Sequence, residues 1–298
     1  MTTRNSTLGV PAVGSRLLWY VEYWALNRID AWGAAYVVGA LVLIAHHMLT
    51  LQTFLLMMAI TTNYWLGYWL NDYFDAPYDR NDDDKAHHNI FIQRPIPHWQ
   101  VWTIVGVIFL FSAVPFLSFG WRGALILLVS YMVMWAYSAP PFRLKSKPGL
   151  DLLTHALFVQ SWPYFVCMWL TQTQWTLLDL LLVGICFLGS LSGQLNQQIR
   201  DFAVDAATDS NFTTRVGVNA TMILLRISAT GAIALFLLGV GFGYISWLFV
   251  PLGFLSVPKL AHHLIQRFNN TVLTFPRRSM YVIMILVLLY INALLIFN

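Results

Sequence analysis

Charge is what this sequence has least of. Only 10% of its 298 residues are Asp, Glu, Lys or Arg, against about 25% in an ordinary soluble domain. With 58% apolar residues and a mean hydropathy of +0.63, that scarcity excludes a water-soluble domain and points to an integral membrane protein. Short alternating segments are missing too. A membrane barrel needs them, whereas the apolar runs here are continuous and about 20 residues long, the length of a helical span. Cysteine is nearly absent. Cys167 and Cys186 lie within apolar runs, where free cysteine behaves as a small core residue and says little about redox compartment. The first fifteen residues lack the charged-then-apolar layout of a cleaved signal peptide. The first long apolar segment is therefore expected to act as the membrane signal and to be retained.

What is present organises residues 1–298 as one all-α transmembrane domain. Residues 1–30 form an N-terminal segment, and Arg16 to Asp30 reads as an amphipathic helix at the interface or leading into the first span. Nine spans are expected near 32–50, 52–71, 99–119, 122–139, 151–170, 177–197, 219–240, 243–264 and 279–297. Sixteen of the 17 Lys and Arg residues fall in the N-terminal segment and around the even-numbered loops, and only Arg122 falls on the opposite side. By the positive-inside rule, the N-terminus and the even loops face the cytoplasm and the C-terminus faces away. Each group of four spans carries acids after its second helix and bases after its fourth. That predicts two parallel four-helix repeats plus one added helix, capped by cytoplasmic loops.

The acids are concentrated. Asn71 to Asp84, NDYFDAPYDRNDDD, holds six of the 13 acidic residues. Asp72, Asp75 and Asp79 follow i, i+3, i+7 spacing, which puts three carboxylates on one helix face. Pro77 can bend or end a helix, so that geometry is expected first of Asp72 and Asp75. Asp201, Asp205 and Asp209 stand at the matching place in the second half. A carboxylate at the bilayer centre costs roughly 2.5–3.5 kcal/mol, so these acids must line a wet cavity or the interface and need counter-charges. Arg80, Lys85, Arg94, Arg143, Lys145, Arg200 and Arg215 lie in the same loops. The acidic stretches lack the Cys and His ligands that zinc prefers, while oxygen-only ligands suit Mg²⁺, which commonly bridges carboxylates to substrate phosphates. Two acidic faces, a metal and basic residues together read as a diphosphate site. Plainer roles go to the other polar residues. Asp82, Asp83 and Asp84 read as solvated surface. His46–His47, His87–His88 and His262–His263 read as interfacial residues, Asp151 and Asp179 as helix caps, and His155 and Gln160 as packing residues or cavity-facing ones.

With those residues in place, the sequence resembles the UbiA superfamily of intramembrane prenyltransferases. Its NDxxDxxxD motif is similar to Asn71, Asp72, Asp75 and Asp79, and its DxxxD motif to Asp201 and Asp205. RPIP (Arg94 to Pro97) and YSAPPFRLK (Tyr137 to Lys145) resemble the family's stretches after the first motif and after span four. The resemblance implies a nine-helix bundle with a cavity open to lipid. Mg²⁺ would be held by Asp72, Asp75, Asp79, Asp201 and Asp205, four of which (all but Asp79) also count as catalytic. Lys85, Arg94, Arg143, Lys145 and Arg200 would hold a prenyl diphosphate, with Asn71 and Gln198 also on the substrate. Tyr137 would steady the allylic cation or orient the diphosphate. The implied partners are a prenyl diphosphate, a lipophilic acceptor (aromatic, quinone precursor, carotenoid or chlorophyllide type) and membrane lipids, and no nucleic acid. YSAPPFRLK followed by Gly149–Asp151 leans towards the carotenoid-elongating and chlorophyllide branches. Gln198 departs from the acid that many members carry three residues before the second motif. A terpene cyclase on the same scaffold and a cation transporter are the alternative readings.

Overall fold

The computed structural model describes residues 23, 28–80, 83–94, 96–265 and 276–297. Arg4, Arg16, Asp82, Pro95, Arg267 and most of the expected interfacial helix lie outside the described residues. Among the described residues the chain is helical, with no strand. Its helices are α1 (Ile29–Ala45), α2 (Leu51–Asp79), α3 (Asp83–His88), α4 (Ile90–Gln93), α5 (His98–Leu117) and α6 (Gly120–Ser138). Then follow α7 (Leu150–Ala156), α8 (Trp162–Thr171), α9 (Leu177–Thr208), α10 (Phe212–Val216), α11 (Val218–Gly241), α12 (Val250–Ile265) and α13 (Arg277–Phe297).

Five of the described helical segments are long and apolar enough to cross a membrane: His98–Leu117, Leu177–Ala207, Val218–Gly241, Trp247–Ile265 and Arg278–Phe297. α1 is apolar but only 17 residues long, and α2 is diluted by polar side chains in its second half. The expected fifth span is interrupted. Between α7 and α8, Leu157–Ser161 forms a π turn, and Pro163 opens the helix after it. A proline supplies no N–H to the turn before it. The Phe158 carbonyl in this turn accepts the Tyr64 hydroxyl from α2 instead.

Apolar side chains pack the bundle's core and also face outward. Leu43 of α1, Leu56 and Met57 of α2, Cys167 of α8 and Ile291 of α13 are buried in one cluster. Both cysteines are buried and free. Leu110 and Val114 on α5, and Ile223 and Ile227 on α11, are more than half exposed. Large outward-facing aliphatic side chains one helical turn apart are what a lipid-facing surface requires.

Helix ends are fixed by local polar chemistry. Thr50 and Thr53 form a reciprocal capping box at the head of α2. At the head of α9, Asp179 takes the Thr176 backbone N–H at 2.7 Å, as a cap should. It also accepts Tyr164 Oη at 2.6 Å and lies 2.7 Å from His46 Nε2. The expected cap therefore also ties α1, α8 and α9 together, and His46 belongs to that knot. Asp151 differs from the expectation of a simple cap, because its carboxylate reaches across to another helix, as described below.

Candidate active site

α2 remains helical through Asp79 with Pro77 inside it. The missing proline donor falls in the last turn, where little ladder is left to break. Beside it, Asn89 Nδ2 donates to the Asp72 carbonyl at 2.8 Å and to Asp79 Oδ2 at 2.9 Å. Asp72, Asp75 and Asp79 thus share one helix, as their spacing predicts. α9 carries Asp201 and Asp205 one turn apart and ends with Asp209 at its C-cap. Both helices deliver their acids to a single cavity of about 560 Å³.

Every one of these acids has a polar or charged partner, and some partners are shared. Asp72, 1% exposed, accepts Tyr23 Oη at 2.6 Å and Arg28 Nη2 at 2.8 Å. Asp75 pairs with Lys145 and with Arg143 at 3.2 Å. The second guanidinium contact of Arg143, at 3.3 Å, is to Asp209, so this residue joins the ends of α2 and α9. It lies 3.7 Å over the Tyr78 ring and sits at φ 38, a left-handed conformation that costs a non-glycine residue about 1–2 kcal/mol. Lys85 spans the same gap, 3.1 Å from Asp205 and 3.6 Å from Asp201. Burial alone would lower the pKa of Lys85, but Asp201 and Asp205 outweigh it and hold the value above the usual lysine range. Arg200 Nε donates to Asp201 at 2.8 Å, and Asn211 Nδ2 to Asp205 at 2.8 Å. Asn71 Oδ1 accepts Lys145 at 2.8 Å and Ser138 at 3.1 Å. Asp79, with an amide as its hydrogen-bond donor, is pushed up to about 6, chiefly by burial.

Of the residues expected from sequence, Asn71, Asp72, Asp75, Asp79, Lys85, Tyr137, Arg143, Lys145, Gln198, Arg200, Asp201 and Asp205 all line this cavity. Arg94 is not among its lining residues and instead follows α4, its N–H bonded to the Ile90 carbonyl. Gln198 forms part of the wall, but both ends of its amide are engaged by Asp151 and Thr213. Arg28, Asn89 and Asp209 also line it. Sequence reasoning used Arg28 only as a topology charge and gave no signal at all for Asn89. The lining also carries aromatic and apolar side chains, Tyr64, Tyr68, Phe116, Phe158, Trp162 and Val166, beside polar ones such as Asn63, His155 and Gln194. Trp65, Trp69 and Trp135 are not among the lining residues.

The donor set can be tested against a divalent cation. Every acid at the charged end is a carboxylate, the hard oxygen donor Mg²⁺ takes. Among the described residues no three His, Cys, Asp or Glu side chains converge on one point, because lysine, arginine and amide groups hold the carboxylates apart. The donor chemistry therefore fits Mg²⁺. Arg143 Nε is buried without a partner among the described residues.

Comparison with known proteins gives a family match. A model of the UbiA prenyltransferase family matches residues 32–295. A UbiA homologue from Archaeoglobus fulgidus, bound to DMAPP and Mg²⁺, superposes with a TM-score of 0.69 at 16% identity, covering 93% of this chain and 100% of that one. The apo UbiA homologue from Aeropyrum pernix K1 gives 0.65 at 15% identity, over 91% and 98%. A lycopene elongase/hydratase from Corynebacterium glutamicum is 26% identical over 169 residues, 56% of this chain and 55% of the relative. That alignment spans little more than half of either protein.

Proposed function

The chain belongs to the UbiA prenyltransferase family, and from that premise we propose that it moves a prenyl group from a prenyl diphosphate to a lipophilic acceptor within the membrane, with Mg²⁺ required. One observation carries the reading. A single cavity has an end crowded with carboxylates and cations, and in its remainder aromatic and aliphatic side chains stand among polar ones such as Asn63, His155 and Gln194. That is the chemistry of an amphiphile with a polyanionic head and an isoprenoid tail.

Asp72, Asp75, Asp79, Asp201 and Asp205 would hold Mg²⁺, which when bound neutralises charge on a leaving diphosphate. Lys85, Arg143, Lys145 and Arg200 hold the diphosphate oxygens, leaving their carboxylate partners as the head group arrives. Asn71, fixed by Ser138 and Lys145, orients the lysine. The C–O bond of the allylic ester breaks, the acceptor's electrons form the new bond to the allylic carbon, and a proton is lost. Tyr137, Tyr68 and Trp162 present π faces that favour the cation, and the apolar walls exclude the water that would quench it. In this reading α1, α2, α6 and the α7–α8 segment join the five long apolar segments in a nine-span bundle with its charged end and N-terminus in the cytoplasm. α2 and α9, each ending in acids and followed by short helices, are the equivalent helices of a parallel repeat. The acceptor proposed first is a carotenoid end, on the YSAPPFRLK segment and the lycopene elongase/hydratase relative.

The test is purified protein in detergent with a panel of prenyl diphosphates and acceptors that includes lycopene. Pyrophosphate release and an acceptor gaining one prenyl mass are expected, and Asp72→Ala and Asp201→Ala should abolish both. Full turnover in both variants would sink the metal assignment. A hydrocarbon made without acceptor would mean cyclisation, and ion flux in liposomes without pyrophosphate chemistry would mean transport.

A further inference from the structure

Gln198 stands three residues before Asp201 on α9, and the structure shows what its amide does. Gln198 is 4% exposed and Asp151 is fully buried. Gln198 Nε2 donates to Asp151 Oδ2 at 2.6 Å. Its Oε1 accepts both Thr213 N–H at 3.1 Å and Thr213 Oγ1 at 2.9 Å. The same Asp151 oxygen accepts the Phe212 N–H at 2.7 Å. Two side chains therefore hold the first residues of α10. The segment just before them touches the site: Asn211 holds Asp205 and Asp209 holds Arg143.

We infer that Gln198 is a positioning residue and not a substitute metal ligand: with Asp151 it clamps the start of α10, and through Asn211 and Asp209 it sets Asp205 and Arg143. This deepens the proposed site and rests on that reading. The amide is required because position 198 must donate at one end and accept twice at the other. A carboxylate there would accept at both ends and would face the buried Asp151 carboxylate at hydrogen-bond distance. That removes a bond and adds a like-charge contact in a dry place. The other Asp151 oxygen is buried without a partner, so this corner has no spare donor to absorb a second charge.

The experiment compares Gln198→Glu, Asp151→Asn and the double variant in detergent. It reads the melting temperature in chelator, and then the rise on adding Mg²⁺ and pyrophosphate. The single Gln198→Glu protein is expected to melt several degrees below wild type and to lose much of the ligand-induced rise. Asp151→Asn, which removes the opposing charge, is expected to recover at least half of both losses in the double variant. A Gln198→Glu protein as stable as wild type with a larger Mg²⁺ response would overturn the inference, since that is how a metal ligand behaves. So would a loss that Asp151→Asn leaves uncorrected. If Gln198→Glu does not fold, Thr213→Val removes one clamp bond and is expected to weaken the ligand response, and an unchanged response overturns the clamp. Wild-type protein that does not respond to Mg²⁺ and pyrophosphate counts against the proposed activity, while the clamp is still judged on melting in chelator.

Discussion

Lys85 and Arg143 each touch acids from both motif helices, so each closes the charged end across the gap between α2 and α9. Removing one takes the counter-charge from carboxylates of both helices and deletes a cation from the proposed leaving-group site. Lys85→Ala should lower kcat/KM on the order of 10²-fold, the loss typical of one electrostatic contact to a developing anion, measured by pyrophosphate release. Asp79 gives a pH prediction. Its folded value, raised to about 6 by burial, exceeds the ordinary carboxylate value of about 4. The proton on it therefore adds stability that is full below the ordinary value and is lost as pH rises through about 6. With Asp79 as a proposed Mg²⁺ ligand, the metal would compete with that proton, so Mg²⁺-induced thermal stabilisation should be weak at pH 5 and grow through about 6. Asp79→Asn should lower the overall Mg²⁺ response and remove this part of its pH dependence. A wild-type response flat across that range would refute the assignment.

At the scale of the helix, what could be read in advance was periodic, and what could not was tertiary. The i, i+3, i+7 spacing placed Asp72, Asp75 and Asp79 together, and apolar runs placed the long helices, because both depend only on residues near in sequence. Pro77 raised doubt that the structure removes, since its cost falls at the very end of α2. The amide of Asn89 against α2 and the Asp151–Gln198 clamp had no local signature. Each is a bond between elements whose approach no periodicity encodes. Arg94 is not among the cavity's lining residues, because a basic residue in the right loop is not thereby placed at the cavity. The turn joining α5 to α6 shows how close such approaches can be. A Cβ on Gly123 would lie 1.7 Å from the Phe116 carbonyl oxygen, so the backbone must move to admit one. Gly123→Ala should destabilise by about 1–3 kcal/mol, as overpacking does. The expected result is a lower melting temperature with the Mg²⁺ response retained, because Gly123 is remote from the charged end.

For the whole molecule, the bilayer sets which side each loop occupies, and the charge count states the expected answer. Moving sixteen basic residues instead of one through the membrane is the costlier insertion, so the charged end of the cavity should face the cytoplasm. A soluble head group would then arrive from that side while its tail stays among the helices. The scarcity of cysteine makes this measurable. Cys167 and Cys186 are both buried, so the background labelling of wild-type protein by a membrane-impermeant maleimide should be low. Lys147→Cys, in the exposed segment before α7, and Tyr244→Cys, in the exposed turn after α11, lie at opposite ends of the bundle by the expected topology. Intact cells should label Tyr244→Cys and spare Lys147→Cys, and inverted vesicles should do the reverse. Labelling of Lys147→Cys in intact cells would place the acids on the outer side. The positive-inside assignment would then fall, while the site chemistry, which depends on the helices and not on their sense in the membrane, would stand.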